Sequence, residues 1–153
     1  MTHSALRQAI ATRIAALSGW WEAPVPFDSF SPSGVPDAVP ASKAHLAFSV
    51  GLGESGNFDG RQKPSVGVLL HTPVRVRFYA RHTPGPTVSQ TSQDAALDAR
   101  QALIVQLMAQ NASWPSTFEI RALTSVLELT LLPTGEWFFT GIDFDAYHLL
   151  PLS

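Results

Sequence analysis

The sequence predicts a single α+β domain over residues 1–153, with a mixed, mostly antiparallel sheet of about four to five strands flanked by two main helices. The length and the 45% hydrophobic content are sufficient for one domain with a real core. Segment 74–82 alternates apolar and polar residues, as a half-buried strand does, and segment 92–110 is amphipathic with a helical period. Two more strand-like segments follow at 126–132 and 136–150. This order of strand, helix, strand and strand predicts the α+β class.

The composition limits the function classes. Charged residues make up 14% of the chain, against about 25% in a typical soluble domain, and the net charge is −2. A broad nucleic-acid surface needs a basic excess, which this chain lacks. The absence of cysteine excludes disulfides and thiolate metal sites, and no apolar run approaches the roughly 18 residues of a membrane span. The low charge favours an oligomer that buries surface, although a neutral polar surface would give the same composition.

A first helix is predicted from Ser4, its expected N-cap, to about Ser18, and Gly19 would end it. Its apolar residues recur at helical spacing: Leu6, Ile10, Ile14 and Leu17. This pattern is typical of a helix that packs on a sheet.

Residues 20–43 are predicted to form an extended segment that wraps on its own domain or on a neighbour. Prolines interrupt any long helix or central strand there, and the segment is too apolar for a solvated linker. The candidate wrapping residues are aromatic: Trp20, Trp21, Phe27 and Phe30. A stretch of this length without regular structure is unusual unless it is functional or bound to a partner.

A strand is expected at 44–50, followed by a glycine-rich loop at 51–65. The loop lacks the Lys-Ser/Thr ending of a phosphate-binding P-loop, and no helical pattern follows it. We therefore interpret it as a mobile hairpin tip, a type of segment that commonly reaches partner subunits.

Two arrays of opposite charge lie on predicted strands. Arg75, Arg77 and Arg81 share one face of segment 74–82, and Asp143 and Asp145 share one face of the last strand. We expect the arrays to lie side by side in the sheet or to face each other across subunits, so these are candidate subunit-interface residues; a solvated face is the alternative. Each exposed pair, such as Arg77 with Asp145, would contribute about 0.2–1 kcal/mol and help to set register.

The helix at 92–110, with Thr91 or Ser92 as its N-cap, carries an apolar band that is too broad for contact with a sheet alone. We expect it to be buried against the sheet and a second surface. A short strand is expected near 119–121, and the turn at 133–135 is expected to join the last two strands.

The sequence carries no recognisable catalytic or metal-binding motif. There is no G-x-S-x-G elbow, and none of the five histidines belongs to an HExxH motif. His82 and His148 end segments that we expect to be neighbouring strands, so a metal site between them is an alternative to ordinary hydrogen-bonded or solvated histidines. Asp143 and Asp145 could imitate a catalytic carboxylate pair, but no pattern supplies the apolar pocket that such chemistry needs. We therefore predict no catalytic, cofactor or metal site and no enzymatic activity.

Five segments occur in an order and at lengths that a known family shares. They are S-x-L-R-x-A-I from Ser4 to Ile10, A-H-L-A-F-S-V at 44–50, V-x-V-x-F-Y at 74–79, S-Q-D-A-A-L-D-A at 92–99 and E-W-F-F-T-G-I-D-F-D-A-Y-H at 136–148. The layout resembles the small tail terminator and tail completion proteins of long-tailed bacteriophages and related gene-transfer particles, over most of the chain. Segment 20–43 is longer and more aromatic than this family leads us to expect, which leaves the role within the neck open.

The resemblance implies a mixed sheet flanked by helices, in subunits that close into a ring, expected to be a hexamer, at the head-proximal end of the virion tail after assembly in the host cytoplasm. Such a ring caps the tail tube, ends its polymerisation and joins the tail to the head connector. The implied partners are copies of the chain, the tail tube protein and a head–tail connector or head-completion protein, with no membrane contact. Phe58, Arg61 and Lys63 would face the lumen, in passing contact with DNA, or a partner subunit.

Two other functions stay open at this point. One is another phage structural role, as a neck, head-closure or tube protein. The other is a small-ligand-binding α+β module or small enzyme, whose pocket would lie between the sheet and the helices.

Overall fold

The computed structural model describes residues 2–25, 44–63, 67–109, 118–133 and 135–150, and it confirms the predicted α+β class. Its elements are α1 (His3–Ala15), β1 (Phe48–Leu52), β2 (Gly56–Lys63), β3 (Gly67–Arg81), α2 (Val88–Met108), β4 (Phe118–Val126), β5 (Thr130–Leu131) and β6 (Trp137–Leu150). The strands form one sheet, and every pair within the described residues is antiparallel. The sheet has six strands because β2 and β5 add short segments to its sides.

The centre of the sheet is the pairing of its two long strands. β3 and β6 are paired from Val68 opposite Leu150 to Arg81 opposite Trp137. β1 and β2 pair with the other side of β3, and β4 and β5 pair with the other side of β6. Each outer side of the sheet is therefore built from two shorter strands placed end to end along a long one.

Both helices cover the same face of this sheet. The main buried cluster joins Leu6, Ile10 and Ile14 of α1 and Leu103 and Leu107 of α2 to the apolar rows of the strands: Phe48, Val50, Val74, Val76, Phe78, Ile142 and Phe144. Full burial of a side chain of this size contributes about 1.5–3 kcal/mol before entropy costs. The predicted helical spacing of α1 is confirmed by this burial.

A second, smaller cluster covers one end of the opposite face. It consists of Val25, Ala44, Ala47, Tyr79, Leu132, Trp137 and Phe139. Because strand side chains alternate between faces, Tyr79 and Phe139 point away from Phe78 and Phe138, which belong to the main cluster. The sheet is thus buried on both faces at the end that carries Tyr79 and Phe139. The rest of the face opposite the helices is mostly polar.

The helix ends differ from the sequence prediction by a few residues. The N-cap of α1 is Thr2 rather than Ser4, and its hydroxyl accepts the Ala5 N–H at 3.1 Å. At their other ends the helices are tied together: Arg13 Nε donates to the Gln106 carbonyl at 2.8 Å, and Gln106 Nε2 donates to the Arg13 carbonyl at 2.9 Å. A cation at the carboxyl end of α2 is electrostatically favourable.

The prediction of a glycine-rich loop at 51–65 is wrong for most of this range, because most of these residues form strands. β1 continues to Leu52, and Gly56–Lys63 forms β2, which pairs with β3 around a register shift between Asn57 and Gln62. The long β3 offers an unpaired ladder beyond β1, and backbone hydrogen bonding to it outweighs the low strand propensity of glycine. Phe58, Arg61 and Lys63 therefore lie on β2, whereas residues 64–66 lie outside the described residues.

The beginning of the proline-rich segment packs on its own domain. Trp20 is buried, with its ring centroid 4.8 Å from that of Phe78 and 6.1 Å from that of Phe48. Trp21 is half-buried against both clusters. Phe27 and Phe30 lie outside the described residues, so their predicted contact stays a prediction.

Gly141 allows the two central strands to approach closely. It lies opposite Arg77, and a Cβ atom at this position would lie 1.9 Å from the Val76 carbonyl oxygen and 3.0 Å from Arg77 Cδ. No side chain fits there without a shift of the backbone. The Arg77 side chain packs over this glycine.

We expect Gly141→Ala to lower the free energy of unfolding by about 2–3 kcal/mol, since the added methyl group overlaps backbone atoms. Gly56→Ala is the matched control, because nothing lies within 4 Å of its added Cβ. Urea denaturation of the two variants checks this. Equal midpoints would contradict the packing described for Gly141.

Candidate functional site

The predicted charge arrays meet inside one chain, on the face of the sheet opposite the helices. Arg77 Nη1 lies 2.7 Å from Asp143 Oδ1, and the two side chains are 13% and 28% exposed. The same Nη1 donates to the carbonyls of Val76 at 3.1 Å and Ile142 at 3.3 Å. Ser125 Oγ donates to Asp143 Oδ2 at 3.0 Å. This group therefore links β3, β6 and β4 across three strands of one sheet.

Asp145 has a different partner from the one expected. Its Oδ1 lies 2.8 Å from His71 Nε2, at ion-pair distance but outside hydrogen-bond geometry. The His71 ring stacks on Tyr147, with centroids 5.2 Å apart. The expected pairing of Arg77 with Asp145 is thus wrong, because the register puts Gly141 opposite Arg77 and leaves the guanidinium to reach across to Asp143.

The other two arginines of the array are exposed. Arg75 lies opposite Asp143 in the register and makes no ion pair among the described residues. Arg81 Cζ lies 5.7 Å from the ring centroid of Trp137, a cation–π contact. Arg77, Asp143 and Asp145 have partners within the chain. The expected contact of the arrays with a neighbouring subunit stays a prediction, for which Arg75 and Arg81 are the remaining candidates.

The end of the sheet near Arg81 also carries a perturbed histidine. Burial lowers the pKa of His45, and the Arg81 guanidinium lowers that pKa further. His45 Nδ1 accepts the backbone N–H of Arg81 at 3.0 Å, which a doubly protonated ring could not do. The folded state thus disfavours the charged ring, so this contribution to stability is present above the ordinary histidine pKa of about 6.5 and is lost as the pH falls below it.

The histidines expected at neighbouring strand ends do not come together. β3 and β6 are neighbours but antiparallel, so His82 and His148 lie at opposite ends of the sheet. His82 Nδ1 lies 3.0 Å from Ser92 Oγ, and His148 Nε2 lies 2.7 Å from Thr72 Oγ1. The described residues contain no group of three or more histidine or acidic side chains placed to hold a metal ion.

The outer edge formed by β4 and β5 exposes apolar side chains. Leu123, Val126 and Leu131 are 37%, 42% and 46% exposed, a level that Val88 and Val105 on α2 also reach. Segment 126–132, expected as one strand, supplies only the last residue of β4 and the short β5. We call Leu123, Val126 and Leu131 the apolar edge.

The two outer edges of the sheet differ in how far other parts of the chain cover them. Residues 21–25 cover the beginning of the outer side of β1: Val25 N–H donates to the carbonyl of Phe48, its first residue, at 2.7 Å, and Trp21 N–H donates to the carbonyl of the preceding Leu46 at 3.4 Å. β4 ends the strand order on the other side, and no described strand pairs with its outer edge. Register shifts interrupt β4 between Ile120 and Ala122 and between Leu123 and Ser125.

One shallow depression lies on the outer side of the helices. It has a volume of about 480 Å³ and is lined by Leu17, Asp98, Gln101, Ala102, Val105 and Gln106. Val105 is 62% exposed, so the apolar band of α2 extends beyond its contact with the sheet, and the expected burial of this band against a second surface stays a prediction. The depression does not lie between sheet and helices, where the ligand-binding alternative expected a pocket.

Neither α1 nor α2, the helices of the described ranges, combines the length and apolar content required to cross a membrane. No protein-family model matches this sequence, and no curated protein matches it.

The sequence pattern did not predict the apolar edge. Leu123 and Val126 are three residues apart, a spacing that places residues of a regular strand on opposite faces, but the register shifts of β4 place both on the same face.

We expect a double-mutant cycle of Arg77→Met and Asp143→Asn to give a coupling of about 0.5–1 kcal/mol, because both side chains are partly buried and in direct contact. Denaturant unfolding of the four proteins measures it. The control cycle pairs Arg75→Met with Asp143→Asn and should give a coupling near zero. Equal couplings in the two cycles would show that register proximity, rather than the observed contact, sets the interaction.

Proposed function

We propose that this chain is a structural subunit that assembles with copies of itself into a ring, the role implied by its resemblance to phage tail terminator and tail completion proteins. The observation that carries the proposal is the apolar edge on β4 and β5. Three large aliphatic side chains on one open side of a sheet form a surface that water solvates poorly and that a neighbour can cover.

The asymmetry of the sheet supports contact between two different surfaces. The chain covers the beginning of the outer side of β1 with its own residues 21–25 and leaves the apolar edge without such a cover among the described residues. Contacts between unlike surfaces generate rings when the rotation between subunits closes. Coverage by a neighbour also removes the hazard of an open strand edge.

The form of β4 indicates how a neighbour would bind. Its two register shifts interrupt a regular outer ladder, so addition of a straight strand would leave backbone groups unpaired. Packing of Leu123, Val126 and Leu131 into a neighbouring subunit does not need a regular ladder. We therefore propose side-chain packing as the main contribution at this interface.

In the proposed role, the ring caps the tail tube, ends its polymerisation and contacts the head connector. The partners are then the tail tube protein and a head–tail connector or head-completion protein, at the head-proximal end of the virion tail. Phe58, Arg61 and Lys63 on β2 stay the candidates for contact with the lumen, DNA or a partner subunit.

We expect native mass spectrometry over a concentration series to detect a closed oligomer of the unmodified protein. Val126→Glu should weaken this association at least about tenfold, about 1.4 kcal/mol, because a charged carboxylate would be buried in the contact. The matched control is Val88→Glu, since Val88 is 46% exposed at the start of α2 and does not belong to the apolar edge.

Two results would contradict the proposal. One is an unmodified protein that is monomeric up to about 1 mM. The other is an oligomer that Val88→Glu and Val126→Glu weaken to the same extent.

A further inference from the structure

The three side chains of the apolar edge lie on the same face of the sheet. Each of them is paired in the register with a buried residue of β6: Leu123 with Phe144, Val126 with Ile142, and Leu131 with Phe138. All three partners belong to the main cluster that the helices cover. The apolar edge is therefore the outer margin of the helix-covered face.

This alignment depends on one extra residue between β4 and β5. Val126 and Leu131 are five positions apart, an odd spacing that would place them on opposite faces of a regular strand. From Val126 to Thr130 the outer strand advances four positions, whereas their partners on β6, Ile142 and Phe139, are three positions apart. The extra residue forms a bulge, and the bulge turns Leu131 to the face of Val126.

Side chains from α2 and β6 hold the chain at this bulge. Leu127 N–H still donates to the Gly141 carbonyl at 2.9 Å, which continues the ladder of β4. The Leu127 carbonyl accepts from two side chains, Arg100 Nη1 at 2.7 Å and Thr140 Oγ1 at 2.9 Å. Arg100 Nη1 also donates to Thr140 Oγ1 at 3.3 Å, so the three groups form a closed triangle. We call Arg100, Leu127 and Thr140 the junction clamp.

The surroundings of the junction clamp make its hydrogen bonds costly to lose. Thr140 is fully buried and Arg100 is half-buried. A charged donor forms a stronger hydrogen bond than a neutral one, and a buried hydroxyl that loses its partner stays unsatisfied. Arg100 forms no ion pair among the described residues, so its recorded polar contacts are those of the clamp. Through Arg100, α2 fixes the place where the outer strand leaves the ladder of β4 and resumes as β5.

We propose that Arg100 is a positioning residue of the subunit interface, which together with Thr140 holds the bulge that aligns Leu131 with Leu123 and Val126. This inference rests on the proposed function, in which a neighbouring copy covers the apolar edge. Arg100 acts through the edge residues and does not need to touch the neighbour. Without its guanidinium the junction is no longer tied to α2, and Leu131 leaves the aligned position for part of the time.

The first measurement is amide hydrogen exchange of the dilute protein, in which subunits are separate. Arg100→Met keeps a long apolar stem and removes the donors. The amides of Leu127 and Leu132 lie on either side of the bulge and donate to the carbonyls of Gly141 and Trp137. We expect their protection to fall about tenfold relative to β3 amides, which report global stability.

The matched control is Arg7→Met, which removes an exposed guanidinium of α1 and should leave the protection of both amides unchanged. Thr140→Val removes the hydroxyl of the junction clamp at nearly constant shape and should reproduce the effect of Arg100→Met. This second variant keeps the test informative if one of the two replacements impairs folding.

The second measurement is the association constant, from native mass spectrometry over a concentration series. Arg100→Met and Leu131→Ala should each weaken association about fivefold. Because Arg100 acts through Leu131, Leu131→Ala should have a smaller effect in the Arg100→Met protein than in the unmodified one. A residue that only stabilises the fold would give independent effects.

Three results would overturn the proposal. They are unchanged protection of Leu127 and Leu132 in Arg100→Met, unchanged association of that variant, and fully additive effects of Arg100→Met and Leu131→Ala. An unmodified protein that stays monomeric would contradict the proposed ring, and with it the interface role of Arg100. Hydrogen exchange would then still decide whether Arg100 holds the bulge, so the two failures are distinguishable.

Discussion

Most features of this structure follow from the pairing of β3 with β6. Strand side chains alternate between faces, so a slip of one residue would move every apolar side chain of a strand from the helix face to the polar face. The observed register places the apolar rows under α1 and α2 and puts Arg77 within reach of Asp143. It also brings Thr72 beside His148 and leaves room for close approach only because residue 141 is glycine. Packing and charge pairing thus share one cause.

The two sides that flank this pair explain why a subunit of this form would associate. On one side the chain returns to satisfy the outer carbonyls next to and within β1, and it buries Trp20 and Val25. On the other side the bulged β4 and the short β5 expose the apolar edge. Burial of apolar surface favours association but does not fix the orientation of the two subunits. The bulges of β4 disfavour addition of a further strand, so we expect side-chain packing at this contact. The proposed ring follows from this difference together with the family resemblance.

Sequence patterns predicted the parts of the fold that repeat with a regular period. The alternation at 74–82 and in the last strand, and the helical spacing of Leu6, Ile10 and Ile14, gave the central strands and α1. The pattern could not reveal β2, because its glycines and polar residues form a strand only when β3 offers a ladder. Strand register is also invisible in one sequence, so the partner of Arg77 was predicted two residues away. Thr72 and His148 are hydrogen bonded although they lie 76 positions apart, a contact that no local pattern predicts.

We propose that copies of this chain associate through the apolar edge and not through the outer side of β1. The most direct measurement is amide hydrogen exchange of the unmodified protein at low and high concentration, compared strand by strand. If copies associate through the apolar edge, protection rises with concentration in β4 and β5, while that of β1 and residues 21–25 stays constant. A rise confined to β1, or an increase in mass without any change in β4 and β5, would contradict it.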